Sequence, residues 1–120
     1  DAGWLHCLQS HNNGDLLKAS WDDLNIPARI STYAAAGLPV ILRDNSGHIV
    51  ATQEIVKKLH IGILFNNYFE LSYRLKNKIM IKELTDNMLK CRNTFSFDYY
   101  VPRLIQLFKD AIKEQNMPLL

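Results

Sequence analysis

The stretch that most constrains the fold is 25–42, NIPARISTYAAAGLPVIL. Asn25 is a good helix N-cap, and Pro27 suits the first turn of a helix because its missing N–H is not needed there. Gly37 is the residue type that closes helices in a left-handed conformation. The apolar run 38–42 is typical of a strand that is covered on both faces. The stretch therefore predicts a helix that feeds directly into a buried strand.

This unit also predicts an anion-binding site. Free backbone N–H groups and a positive partial charge lie at the amino end of a helix, and both attract phosphate. Arg29 lies one turn into the predicted helix, and a guanidinium can fork onto two phosphate oxygens. We therefore expect a phosphate-sized anion to bind beside Asn25 and Arg29.

Strands alternate with helices along the rest of the chain, and no hairpin signal interrupts them. Ser46 is the expected N-cap of the second helix, and Asp98 that of the last helix, whose apolar stripe predicts packing against the domain. The expected strands are 3–8, 38–42 and 60–65, and the expected helices are 26–36, 47–59, 68–77, 79–94 and the amphipathic 98–115.

This alternation predicts an α/β fold, namely a partial, doubly wound (Rossmann-like) parallel sheet of about three strands with flanking helices. Ligands bind such sheets at the carboxyl ends of the strands. A sheet of three strands leaves an edge that something must cover. We therefore expect residues 1–120 to be a single, partial domain from a larger protein, and pairing with a second copy is a further way to cover the edge.

Composition and charge exclude several functions. The formal net charge is only +2 and the basic residues are scattered, which argues against nucleic-acid binding. No apolar run approaches the roughly 20 residues of a transmembrane helix, and no secretory signal is visible.

The histidines and cysteines have no metal-ligand spacing, so no metal is expected. His6 is expected at the surface or in packing, and Cys7 and Cys91 as reduced thiols.

The ordered set Asn25-x-Pro27-x-Arg29, then Tyr33-x-x-x-Gly37-x-Pro-Val-Ile, resembles the donor-binding segment of bacterial glycosyltransferases of the GT-B architecture. The family pattern is close to N-x-P-x-K-x-S-x-Y-x-x-x-G-x-P-V-I. A small-residue loop, a helix and an Ile-Gly strand follow in both, and the likeness spans about residues 1–112. The chain thus resembles the C-terminal half-domain of such an enzyme.

The resemblance implies a nucleotide-sugar site, with the donor diphosphate near Asn25 and Arg29 and with Ser31 and Tyr33 as further donor-binding candidates. Arginine replaces the family's lysine, which keeps the charge but changes its shape. Ala28 stands where close relatives often carry histidine. Leu24 and Thr32 stand where many members carry glutamates, so the resemblance assigns no catalytic residue.

The implied function is transfer of a hexosyl group from a nucleoside diphosphate sugar, with UDP-sugar as the expected donor, to a glycan or glycoprotein in polysaccharide biosynthesis. No cofactor beyond the donor is expected. The implied partner is an N-terminal acceptor domain of the parent protein, without which the chain alone is expected to be inactive. The expected location is cytoplasmic, with membrane association only through the parent's remaining part. A nucleotide-sugar epimerase of the same architecture and a non-catalytic partner subunit stay open as alternatives.

Overall fold

A computed structural model describes residues 1–6 and 8–115, the last of these by its backbone alone, so Cys7 and the tail 116–120 lie outside the described residues. The strands are β1 (Gly3–His6), β2 (Val40–Arg43) and β3 (Gly62–Phe65). The helices are α1 (Trp21–Leu24), α2 (Arg29–Ala35), α3 (Ala51–Leu59), α4 (Tyr68–Leu75), α5 (Lys78–Cys91) and α6 (Phe97–Gln115). Short 3₁₀ turns cover Leu16–Lys18 and Arg92–Phe95.

The strands form one parallel sheet in the order β1-β2-β3, so the predicted α/β fold with a three-stranded parallel sheet is confirmed. One face of the sheet packs against α2, α3 and α5 through a core that includes Leu42, Ala34 and Met88. On the other face Ile63 and Phe65 pack against Leu71 of α4. Both faces of the central strand are therefore buried, as its continuous apolar run predicts.

Gly37 ends α2 as predicted. Its φ is +68°, in the left-handed region that glycine adopts without strain. The Leu38 amide donates to the Tyr33 carbonyl at 2.9 Å, and the Gly37 amide donates to the Ala34 carbonyl at 3.1 Å. This pair of hydrogen bonds is a Schellman motif, which satisfies the last carbonyl groups of the helix. The chain then turns directly into β2.

The predicted cap of α2 is wrong. Asn25 closes the short helix α1, where its amide donates to the Trp21 carbonyl at 2.9 Å, and its own backbone is extended. The helix α2 begins four residues later at Arg29, and the residue at its N-cap position, Ala28, offers no side-chain hydrogen bond. Asn25 cannot cap α2 because its backbone already serves as the end of α1.

Two other predicted caps are also wrong. Ser46 donates its hydroxyl to Asp44 at 2.6 Å within the loop after β2, and α3 starts only at Ala51. Asp98 lies inside the first turn of α6, while the hydroxyl of Ser96 accepts from the Tyr99 amide at 3.4 Å. Ser46 lies too far before Ala51 to cap α3, whose N-cap residue Val50 makes no side-chain hydrogen bond, and at α6 the hydroxyl of Ser96 takes the capping role.

The apolar stripe of α6 packs on the domain less than predicted. Ile105 and Phe108 are exposed, at 48% and 57%, whereas Val101 and Leu104, nearer the start of the helix, are half-buried. The helix contacts the rest of the fold mainly at the turn Arg92–Phe95, and the Cα radius of gyration is 18.2 Å, against about 13.6 Å for a compact chain of this length. Beyond its first turns, the stripe thus faces solvent in the described part of the chain.

Candidate functional site

The carboxyl end of β1 is irregular in a way that positions Arg29. The register with β2 shifts between Trp4 and His6, so Leu5 has no direct partner across the ladder. A bulge of this kind frees backbone groups and re-aims side chains. The Arg29 guanidinium donates a short hydrogen bond to the Leu5 carbonyl. The guanidinium is therefore held at the carboxyl end of β1, which is the ligand-binding edge of a parallel sheet.

A pocket of about 270 Å³ opens at this position. Asn25 and Arg29, which the sequence predicted as site residues, both line it. The remaining lining residues are Leu5, His6, Leu8, Asp22 and Pro27. The pocket brings a cation, a carboxamide, a carboxylate and an imidazole together, and within residues 1–6 and 8–115 the Asn25 side chain makes no hydrogen bond that would occupy it. This set of groups suits a ligand that carries both phosphates and hydroxyls.

His6 is a functional candidate that sequence reasoning placed at the surface or in packing. Only 7% of the residue is exposed, and its Nε2 atom has no hydrogen-bond partner among the described residues. Burial lowers the pKa of His6, the carboxylates of Asp23 and Asp22 oppose that shift, and Arg29 adds to it. The imidazole is therefore neutral at pH 7 and keeps one donor and one acceptor.

The neighbouring loops are held by a buried polar network centred on Asn12, which is 1% exposed. Its carboxamide donates to the Ile49 carbonyl at 2.8 Å and to the Ser10 hydroxyl at 2.9 Å. Its oxygen accepts from the amides of Ile49 at 2.8 Å and Gly14 at 3.0 Å. One side chain thus joins the loop after β1 to the loop after β2.

Asn45 reinforces this link from the second loop. Its side chain accepts from the Ser10 amide at 2.8 Å and donates to the Leu8 carbonyl at 3.0 Å. Its own amide donates to the Gln53 side chain of α3 at 2.7 Å. These buried polar groups all have hydrogen-bond partners. The loops that follow β1 and β2, at the carboxyl ends of these strands, are therefore fixed relative to the sheet.

The two adjacent aspartates have different environments. Asp23 is buried and closes the capping box of α1 with Ser20. Burial by itself would raise the pKa of Asp23, but hydrogen bonds from the Ser20 backbone and from the side chains of Ser10, Asn12 and Ser20 outweigh it and hold that pKa below its usual value. Asp22 is exposed and faces the pocket. Only Asp22 is therefore available to a ligand.

The other two predicted site residues lie elsewhere. The Tyr33 hydroxyl donates to the Trp4 carbonyl at 3.1 Å, and the tyrosine ring lies so close to Gly3 that a Cβ there would be 2.7 Å from it. Ser31 is exposed and lines a separate groove of about 570 Å³ between α2, α3 and the start of α6. That groove is larger but lined mainly by apolar side chains, so we take the smaller polar pocket as the candidate anion site.

The amino end of α2 supplies fewer free N–H groups than the sequence predicted. The Ile30 amide donates to the Pro27 carbonyl and the Ser31 amide to the Ala28 carbonyl, both at 3.1 Å. The helix is also only seven residues long. The site therefore depends on the Arg29 side chain rather than on the helix end.

The fold and the pocket together define an α/β domain with a small polar pocket, lined by Arg29, Asn25, Asp22 and His6, at the carboxyl ends of the strands of a parallel sheet. The family model described as the glucosyltransferase 3-like C-terminal domain matches residues 8–107, so the chain belongs to this family of glycosyltransferase domains. No curated protein and no solved structure matches the chain. Within the described residues no helix has both the length and the apolar character to cross a membrane.

Proposed function

We propose that this chain is the donor-binding part of a sugar-nucleotide-dependent glycosyltransferase of the GT-B architecture, and that the pocket beside Arg29 holds the donor diphosphate. The observation that carries the proposal is the anchoring of the Arg29 guanidinium on the Leu5 carbonyl, at the carboxyl end of β1. Asn25, which lines the same pocket, supplies a second polar group.

The chemistry of glycosyl transfer explains why a cation belongs at this position. As the glycosidic bond breaks, negative charge builds up on the departing nucleoside diphosphate. A guanidinium already fixed beside the phosphate oxygens lowers the barrier, because it need not reorganise during the reaction. Asn25 can donate to a further phosphate oxygen, and the carboxylate of Asp22 can accept from a ligand hydroxyl.

The size of the pocket limits which part of the donor it holds. Its volume of about 270 Å³ lies just below the ~300–1,000 Å³ that is usual for complete ligand sites. We therefore assign the diphosphate and its nearest hydroxyls to this pocket and leave the base outside it. The donor is proposed to be a UDP-sugar, and the acceptor a glycan or glycoprotein held by an N-terminal acceptor domain.

A non-catalytic partner subunit of a glycosyltransferase is the second candidate. Ala28 is exposed at the start of α2, so no imidazole is supplied from the position where relatives carry histidine. Leu24 and Thr32 likewise supply no carboxylate. Binding of the donor without turnover by the full-length protein would favour this candidate.

The proposed site is tested by titrating UDP and UDP-glucose against the full-length protein and its Arg29→Ala form by calorimetry. Loss of a charge-assisted phosphate contact should weaken binding by about 2 kcal/mol, or roughly thirtyfold. Arg103→Ala, which removes an exposed arginine of α6 outside this pocket, is the matched control and should bind as the parent does. Equal affinity of the parent and the Arg29→Ala form would rule the site out.

A further inference from the structure

His6 presents an energetic anomaly at the carboxyl edge. Nearby buried polar side chains such as Asn12, Asn45 and Gln53 have hydrogen-bond partners, whereas the Nε2 atom of His6 has none among residues 1–6 and 8–115. Leaving a buried polar atom unsatisfied is costly, and such an atom in a native structure calls for an explanation. A partner that is absent from the free protein is one such explanation.

The position of His6 indicates where that partner binds. His6 is the last residue of β1, and the burial pattern of the strand loses its alternation there, since Leu5 and His6 are both buried. The shift in register between Trp4 and His6 accounts for this change. As a result His6 lines the same pocket as Asn25 and Arg29.

Two carboxylates and one guanidinium surround His6, so an anion bound there would have to lie against Arg29. The charged groups that act on its imidazole are Asp22 and Asp23 of α1 and Arg29 of α2. Asp23 is already occupied by its hydrogen bonds with Ser20 and Asn12. A phosphate that approached Arg29 would therefore meet a neutral imidazole that can donate a hydrogen bond to it.

We propose that His6 binds the ligand directly, donating a hydrogen bond from Nε2 to an oxygen of the diphosphate seated beside Arg29. This inference rests on the proposed function and adds a specific contact to it. His6 is then retained at a cost to the stability of the free protein, because its bond is completed only by the ligand.

The experiment compares three substitutions in the full-length protein with UDP-glucose as the probe. His6→Phe removes the polar atoms and should weaken binding about tenfold or more, while the melting temperature stays equal or rises. His6→Gln places an amide near the position of Nε2 and should restore most of the affinity. Thr52→Val removes the hydroxyl of the other buried polar side chain without a partner in the described residues, lies outside the pocket, and should leave affinity unchanged.

The pH profile separates a binding role from a packing role. A bound diphosphate raises the pKa of a histidine that contacts it, so parent affinity should rise as pH falls from about 7.5 to about 5.5. The His6→Phe form should lose that rise. Unchanged affinity and an unchanged profile in His6→Phe, with Arg29→Ala still weakened, would overturn this inference and leave the proposed function standing. Failure of the parent protein to bind UDP-glucose would overturn both.

Discussion

Two neighbouring regions at the carboxyl ends of the strands differ in whether their polar side chains have hydrogen-bond partners. In the loop network, Asn12 and Asn45 are buried and hydrogen-bonded on both sides of their carboxamides. In the adjacent pocket, the Nε2 atom of His6 is buried without a partner, and the Asn25 side chain makes no hydrogen bond within the described residues. Asparagine occurs in both regions, hydrogen-bonded in the first and lining the pocket in the second.

The contrast teaches which polar residues stabilise the fold and which are left for a ligand. A satisfied buried network fixes loop positions, and breaking it exposes several orphaned groups at once. Unsatisfied groups that line a pocket cost stability and become useful only when something binds. The network therefore gives rigid walls to a pocket whose own polar groups stay available.

The largest effect on stability is expected for Asn12→Ala. The substitution removes the donor to the buried Ser10 hydroxyl and Asp23 carboxylate and the acceptor of the half-buried Ile49 amide, so the free energy of unfolding should fall by about 3 kcal/mol or more. Urea denaturation of the variant and the parent measures the difference. Asn66→Ala, which changes an exposed asparagine, is the control and should stay within about 0.5 kcal/mol. If Asn12→Ala lowered the free energy of unfolding no more than the control does, the network would not stabilise the fold as the comparison with the pocket requires.

A smaller effect is expected in the pH dependence of stability at His6. Burial lowers its pKa in the folded protein from 6.5, so the unfolded chain binds the proton first as the pH falls. Above pH 6.5 His6 is neutral in both states and does not lower the free energy of unfolding. As the pH falls from 6.5 toward the pKa of His6 in the folded protein, the free energy of unfolding decreases. The slope of this loss is at most about 1.4 kcal/mol per pH unit, the limit for one proton.

Denaturation curves at a series of pH values check this prediction. The His6→Phe form should show a flatter dependence below pH 6.5 than the parent, because its unfolded state no longer takes up that proton. Asn66→Ala, which changes an exposed residue without a titrating group, is the control and should keep the parent slope. Identical slopes for the parent and His6→Phe would mean that burial does not perturb His6.

The architecture was predictable because it follows from local patterns. The apolar run that forms β2, the glycine that ends α2 and the helical stripe of α3 each depend on residues close together in sequence. The three-stranded parallel sheet then follows from the alternation of strands and helices. Helix starts were less predictable, because Asn25 could cap one helix or close another, and only the preceding helix α1 decides between them.

The site was predictable only in part. Asn25 and Arg29 line one pocket, and the order of motifs around them pointed to both. The sequence could not show that Asn12 is the centre of the buried polar network, because its partner Ile49 is 37 residues away. The local Asn-Asn-Gly pattern predicts only a turn. His6 was missed because the shift in register that buries it arises from pairing with β2.

The central claim is that the donor diphosphate lies at the carboxyl end of β1 beside Arg29, and a structure of the full-length protein with UDP-glucose bound tests it most directly. The account predicts diphosphate oxygens within about 3 Å of the Arg29 guanidinium, with His6 Nε2 and the Asn25 carboxamide on the same group. A donor bound in the apolar groove lined by Ser31 and Phe97, with Arg29 still joined only to Leu5, would contradict the account.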